Sequence, residues 1–145
     1  MNYLDIELQS SNNKSYSLRS FKGKKIILYF YPKDNTSGCI IEAKDFTLFI
    51  DDFKDKDYFI IGVSRDSVKS HQNFIKKHNL KILLLSDTDE QLVKAFNVLK
   101  EKTLYGKKYI GITRSTFILD EEGKIIKEYR KVIPKTHVKI LLSEL

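Results

Sequence analysis

The stretch Ile26-Ile27-Leu28-Tyr29-Phe30-Tyr31, running through Pro32-Lys33-Asp34-Asn35-Thr36-Ser37-Gly38 into Cys39-Ile40-Ile41-Glu42-Ala43, decides how the chain folds. Six apolar or aromatic residues without polar alternation describe a strand covered on both faces. Pro32 ends it, because proline has no N–H for the ladder. From Cys39 onward, Ala43, Phe46 and Ile50 recur at helical spacing, and Phe49 and Phe53 widen the stripe. Tyr58-Phe59-Ile60-Ile61-Gly62-Val63 reads as a second buried strand, and the length between suits a right-handed βαβ crossover. Cys39 therefore falls where a strand turns into a helix. Free backbone N–H groups and the positive end of a helix dipole meet there, and both favour a thiolate.

The alternation continues on either side. Asp66 or Ser67 caps a predicted helix that carries Val68, Phe74 and Ile75 inward and ends near Asn79. Ile82 to Leu85 is a third strand, and Ser86-Asp87 introduces a short helix with Leu92, Ala95 and Phe96. The polar, glycine-containing segment 100–112 reads as a loop. Thr116 to Leu119 and Lys124 to Tyr129 flank Asp120-Glu121-Glu122-Gly123, a hairpin signal. A last helix starts near Lys135, with Val138, Leu141 and Leu142 as its stripe. At the front, Leu4 to Leu8 is expected as a strand paired through Asn12-Asn13 to Tyr16-Ser17-Leu18, and Ser20 to Gly23 as a turn. The order implies an α/β fold, a central mixed β-sheet with helices on both faces, in one domain over residues 1–145.

Composition excludes several classes. The 145 residues carry 26 Lys and Arg against 19 Asp and Glu, a net charge of +7. The basic residues are scattered among acids and come with no nucleic-acid recognition motif, so no specific nucleic-acid partner is expected. No run of about eighteen apolar residues is present, and the leading residues Met1 to Glu7 hold acids rather than a signal-like apolar stretch. A cytoplasmic location without membrane attachment follows as an expectation. The single cysteine has no partner for an intramolecular disulfide, which suits a reducing compartment. His71, His78 and His137 lack the spacing of a metal site and read as two helix faces and a terminal cap, so no metal is expected.

The neighbours of Cys39 share one chemical logic. Thr36 offers a hydroxyl three residues ahead of the thiol, and Gly38 removes bulk beside the sulfur and frees the backbone torsions. Glu42 lies one helical turn beyond. A carboxylate alone would repel a thiolate, so its role is to hold a cation, and Arg114, just ahead of the strand at Thr116, is the cation of choice. An ordinary cysteine thiol, with a pKa of about 8.5, is only about 3% ionised at pH 7. A helix N-terminus contributes about 0.3–1 kcal/mol toward the anion in exposed settings. Arginine and local hydrogen bonds must supply the larger share.

Pro32, Thr36 and Cys39 match the Pro-x-x-x-Thr-x-x-Cys signature of peroxiredoxins, and the chain resembles the Q-type branch, also called bacterioferritin comigratory protein. Tyr29 to Cys39 with Glu42-Ala43 and Asp45-Phe46 carry the likeness, along with Phe21 to Lys24, Gly62-Val63-Ser64, Leu85-Ser86-Asp87 and Arg114 to Phe117. The resemblance implies a thioredoxin-like fold and a thiol-dependent peroxidase that needs no cofactor. In it the Cys39 thiolate attacks a hydroperoxide, either hydrogen peroxide or an organic one, and becomes sulfenic acid. Thr36 would bind the peroxide and orient the sulfur, Arg114 would favour the thiolate and polarise the O–O bond, and Pro32 would shield the pocket. Backbone N–H groups near Gly38 and Cys39 would meet a peroxide oxygen.

Three departures stand out. Ser37 replaces the usual proline, Ile40 the usual threonine, and Lys44 occupies the place where many Q-type members carry a resolving cysteine. The implied mechanism is therefore a one-cysteine cycle completed by an external thiol such as thioredoxin, glutaredoxin or a small thiol, in a monomer or weak dimer. Two other classes fit a lone reactive thiol: a redox-sensing thioredoxin-like protein that relays oxidation to a partner, and a purely structural interaction domain.

Overall fold

The computed structural model describes residues 2–145, so of the leading segment only Met1 lies outside it. Its sheet has seven strands in the order β2-β1-β5-β4-β3-β8-β9. The strand expected from Ile26 spans Lys25–Phe30 (β3) and pairs in parallel with β4 (Tyr58–Ser64), which pairs in parallel with β5 (Leu83–Ser86). Strand β8 (Ser115–Leu119) runs antiparallel to β3, and β9 (Ile125–Arg130) antiparallel to β8. On the other side β1 (Leu8–Ser10) joins β5 and β2 (Ser15–Tyr16).

The apolar run of β3 feeds two cores alternately, because successive side chains of a strand leave opposite faces. Ile26, Leu28 and Phe30 enter one layer with Leu92 and Val93 of α4 (Gln91–Ala95). Ile27, Tyr29 and the following Tyr31 enter the other. That second layer holds Cys39, Ala43 and Phe46 of α1 (Ser37–Leu48), Phe53 of α2 (Ile50–Asp55), Phe74 of α3 (Val68–His78), and Val138 and Leu141 of α5 (Pro134–Glu144). Helices thus cover both faces, as the sequence implies.

Local signals explain most boundaries. The Ser67 hydroxyl accepts the Ser70 N–H and starts α3, and Asn79 closes it in the left-handed region. Asp87 accepts the N–H groups of Gln91 and Val93 at 2.9 and 2.8 Å and so organises α4. The long stripe read from Cys39 to Phe53 is two helices, interrupted at Phe49. At the front, residues Tyr3–Asp5 form a 3-10 turn and the strand begins only at Leu8, so the pairing across Asn12-Asn13 is shorter than expected.

The segment 100–112 is the clearest correction. It is no loop: β6 (Leu99–Leu104) and β7 (Lys107–Ile112) form an antiparallel ribbon outside the main sheet. The two-residue connection Tyr105-Gly106 has positive φ at both positions, the geometry of a tight hairpin turn. Both faces of the ribbon are largely exposed and lysine-rich, so the apolar alternation that marks a half-buried strand is missing.

Gly62 lies between Tyr29 and Leu84 in register. A Cβ there would stand 2.7 Å from Leu84 Cδ2 and 2.8 Å from Tyr29 Cζ. Gly62→Ala is expected to destabilise the fold by about 2 kcal/mol, the cost of over-packing a rigid core, read as a lower urea midpoint.

Candidate active site

Cys39 sits in the first turn of α1, just beyond the carboxyl end of β3, where the leading N–H groups of a helix lack intrahelical partners. Thr36 is the residue that precedes the helix, and its carbonyl accepts the Ile40 N–H at 2.9 Å. Strand β8 delivers the arginine. Ser115 pairs with Phe30, so Arg114 stands beside the exit of β3. Its Nη2 donates to Cys39 Sγ at 3.3 Å and its Nη1 to Glu42 Oε1 at 2.9 Å. The sulfur is buried, with Cys39 only 1% exposed, yet it faces a guanidinium rather than hydrocarbon alone.

The electrostatics follow from this geometry. Burial disfavours charge on Arg114, but Glu42 and Cys39 outweigh it and hold the guanidinium more firmly protonated. Burial pushes the Glu42 carboxyl up to about 7, against the pull of Arg114. Near neutral pH the Glu42 carboxyl therefore carries only part of a full negative charge beside the guanidinium. Tyr29, on the same face of the sheet, has its phenol raised well above the ordinary range, first by burial and then by Glu42 and Cys39. Burial, then Arg114, lowers His137 to about 4, so at neutral pH its ring is uncharged beside Thr116, whose Oγ1 lies 2.8 Å from Nε2.

Of the two reasons the sequence offers for Gly38, lack of bulk and freedom of the backbone, the structure bears out the first. Gly38 lies within α1 with helical torsions, so conformational freedom is not required. Space is. A Cβ there would lie 3.0 Å from Arg114 Nη2 and 3.2 Å from Pro134 Cγ. Gly38→Ala is expected to push the guanidinium off the sulfur and slow Cys39 oxidation by about tenfold, roughly what 1.4 kcal/mol of lost stabilisation costs. An unchanged rate in rapid-quench experiments would show that this gap is not needed.

Thr36 and Pro32 are placed at the loop between β3 and α1. The Thr36 hydroxyl donates to the Lys33 carbonyl at 2.8 Å rather than toward sulfur. Its only proton is thereby used, and it is left as an acceptor. Pro32 is partly buried, one residue removed from the end of β3, and Lys44 is exposed on α1.

Sequence reasoning missed a second cluster behind this loop. Asp34 accepts the Tyr31 hydroxyl at 2.6 Å, the Ser70 hydroxyl at 2.8 Å and lies 2.7 Å from His71 Nδ1, while its own N–H reaches Asp66 at 2.9 Å. His71 Nε2 faces the Leu85 carbonyl at 2.9 Å. Both ring nitrogens thus lie within hydrogen-bond distance of an oxygen atom. His71 lies on a helix face as expected, the buried face of α3, where it tethers that helix to the loop, whereas His137 is buried within α5 rather than a terminal cap. The available signal was Tyr31 and Asp34 three residues apart opposite Ser70-His71, which only the tertiary fold brings together.

The pattern of the AhpC/TSA family matches residues 2–128. Peroxiredoxin Bcp of Bacillus subtilis is 50% identical over 141 residues, covering 97% of this chain and 90% of its own. The chain belongs to the peroxiredoxins of the AhpC/TSA family. Solved structures of its Q-type branch superpose throughout. Bacterioferritin comigratory protein of Xanthomonas campestris, studied for alkyl peroxide reduction in trapped intermediate and ligand complexes, gives a TM-score of 0.93 at 43% identity over 98% of this chain and 90% of that one. A cysteine mutant of Xylella fastidiosa PrxQ gives 0.94 at 39% identity over 99% and 91%. The fold is thioredoxin-like, and this peroxiredoxin is a thiol-dependent peroxidase whose substrates are a hydroperoxide and a thiol reductant. With one cysteine in the chain, the cycle is of the one-cysteine kind, and the relatives favour the enzyme over a redox relay. Among the described residues no helix is long and apolar enough to cross a membrane.

Proposed function

We propose that Cys39 is the peroxidatic nucleophile, that Arg114 and Thr36 position and activate the hydroperoxide, and that Glu42, Gly38 and Pro32 shape the site around them. One observation carries the reading: a single guanidinium spans from the only cysteine sulfur to a fully buried carboxyl group. The thiolate attacks the terminal peroxide oxygen, and a new S–O bond forms as the O–O bond breaks. The electron pair leaves with the second oxygen, which takes a proton and departs as water or an alcohol, and the sulfur becomes sulfenic acid. Arg114 stabilises negative charge first on sulfur and then on the departing oxygen. Thr36, its own proton committed to Lys33, accepts the peroxide O–H and holds that same terminal oxygen toward the sulfur. Hydrogen peroxide and organic hydroperoxides both serve as substrates; the alkyl peroxide activity studied in the Xanthomonas relative supports the second.

An external thiol then attacks the sulfenic sulfur, releasing water, and a second thiol frees Cys39. We take thioredoxin, glutaredoxin or a small thiol as the reductant. The chain acts as one domain over 1–145, cytoplasmic, and as a monomer or weak dimer. The test is a single turnover with hydrogen peroxide and cumene hydroperoxide, followed by a panel of these reductants. One equivalent of peroxide should add one oxygen to the peptide holding Cys39, and at least one thiol should remove it. An unmodified Cys39 after either peroxide rejects the assignment.

A further inference from the structure

The ribbon β6–β7 brings a second cation to the backbone just ahead of Arg114. Lys102 pairs with Tyr109 across the ribbon, so both side chains leave the same face. They close over Gly111, where a Cβ would lie 3.0 Å from Lys102 Cδ and 3.0 Å from Tyr109 Cε2. The missing side chain at Gly111 is what lets the lysine stem lie flat along the strand toward Arg114. Lys102 Nζ donates to the carbonyl of Ile112 at 2.6 Å, two residues before Arg114, and keeps two N–H bonds for another acceptor.

Nearby carboxylates are engaged elsewhere: Glu101 with Lys108, and Glu90 with Arg65. Among the described residues no carboxylate pairs with Lys102. The ammonium also shares the field of the reacting centre. Burial pushes it down, Arg114 and Arg65 push the same way, and Cys39 pulls it back up. Tyr109 beside it is 46% exposed, an aromatic surface next to an unpaired positive charge.

We infer that Lys102 and Tyr109 form a specificity subsite for the organic part of the substrate, and that the preferred hydroperoxides carry a carboxylate. The inference rests on Cys39 as the peroxidatic residue. Lys102 takes no part in bond breaking. It pairs with the remote carboxylate while Tyr109 covers the adjoining apolar portion, and the O–O chemistry at Cys39 is unchanged. A partly exposed ion pair of this kind contributes up to about fivefold in rate, and added salt weakens it.

The experiment compares para-carboxycumene hydroperoxide with its methyl ester, which differ in charge and hardly in shape. The chain has no tryptophan, so Cys39 oxidation is followed by rapid quench and mass spectrometry. The native protein should react about fivefold faster with the acid than with the ester, and the ratio should shrink as salt is raised. In Lys102→Met the ratio should fall to about one, and Lys102→Arg should retain it. Taking the ratio within each variant removes any general effect of the lysine on the thiolate. A native ratio near one, or a ratio preserved in Lys102→Met, overturns the subsite. If hydrogen peroxide oxidises Cys39 normally in the same series, only the subsite falls. If hydrogen peroxide also leaves Cys39 untouched, the peroxidatic reading falls and takes the subsite with it.

Discussion

Arg114→Met should lower the second-order rate constant for Cys39 oxidation by about two to three orders of magnitude, the usual consequence of removing a pre-aimed donor from a site where negative charge develops. Two losses combine. The sulfur loses the cation 3.3 Å away that favours its anionic form, and the departing oxygen loses the donor that receives its charge. Methionine keeps most of the length and apolar volume, so the pocket does not collapse. The stranded Glu42 carboxyl can hold its proton, since burial already favours the neutral acid. The ultraviolet titration of the thiolate should move to higher pH than in the native protein. A rate within threefold of native, with the variant folded, would remove Arg114 from the mechanism.

Glu42→Gln should flatten the dependence of stability on pH. Burial raises the folded carboxyl from 4.5 to about 7, a gap of 7 − 4.5 = 2.5 pH units. Between those values the folded state binds the proton more tightly than the unfolded chain. The associated stability is therefore fully present below pH 4.5 and is lost as pH rises through about 7. The contribution comes to about 2–3 kcal/mol between pH 5 and pH 8. Glutamine keeps the shape and an acceptor for Arg114 but cannot titrate. Whatever the absolute cost of the substitution, the native loss of stability between pH 5 and 8 should shrink by about that amount. Urea midpoints measured at pH 5, 6.5 and 8 test this directly, and parallel profiles for the two proteins would place the titrating group elsewhere.

What the sequence made legible was what local chemistry controls. The unbroken apolar run of β3, the proline after it and the helical stripe beyond were enough to locate Cys39 at a helix start. Arg114 could be paired with Glu42 and Cys39 because its place ahead of β8 is fixed by the same pattern of strands. Segments whose order comes from elsewhere were misread. The β6–β7 ribbon has almost no apolar face, and its turn uses Tyr105-Gly106 instead of an asparagine–glycine pair, so nothing in its composition announced a hairpin. Asp34 and His71 meet only because β3 and β4 are parallel neighbours and α3 returns over them, a relation 37 residues apart in the chain. Gly38 was noticed, but the reason for it, the close approach of Arg114 and Pro134, belongs to segments from the far end of the molecule.

The burial of Cys39, only 1% exposed, gives the two halves of the cycle unequal access. A hydroperoxide needs only to insert its terminal oxygen, whereas a cysteine on a folded reductant brings a whole surface with it. A protein thiol reaches that sulfur only if its surroundings open, whereas the loop just upstream is anchored to α3 through Asp34. Small thiols and protein thiols therefore encounter the same oxidised sulfur through doors of different width.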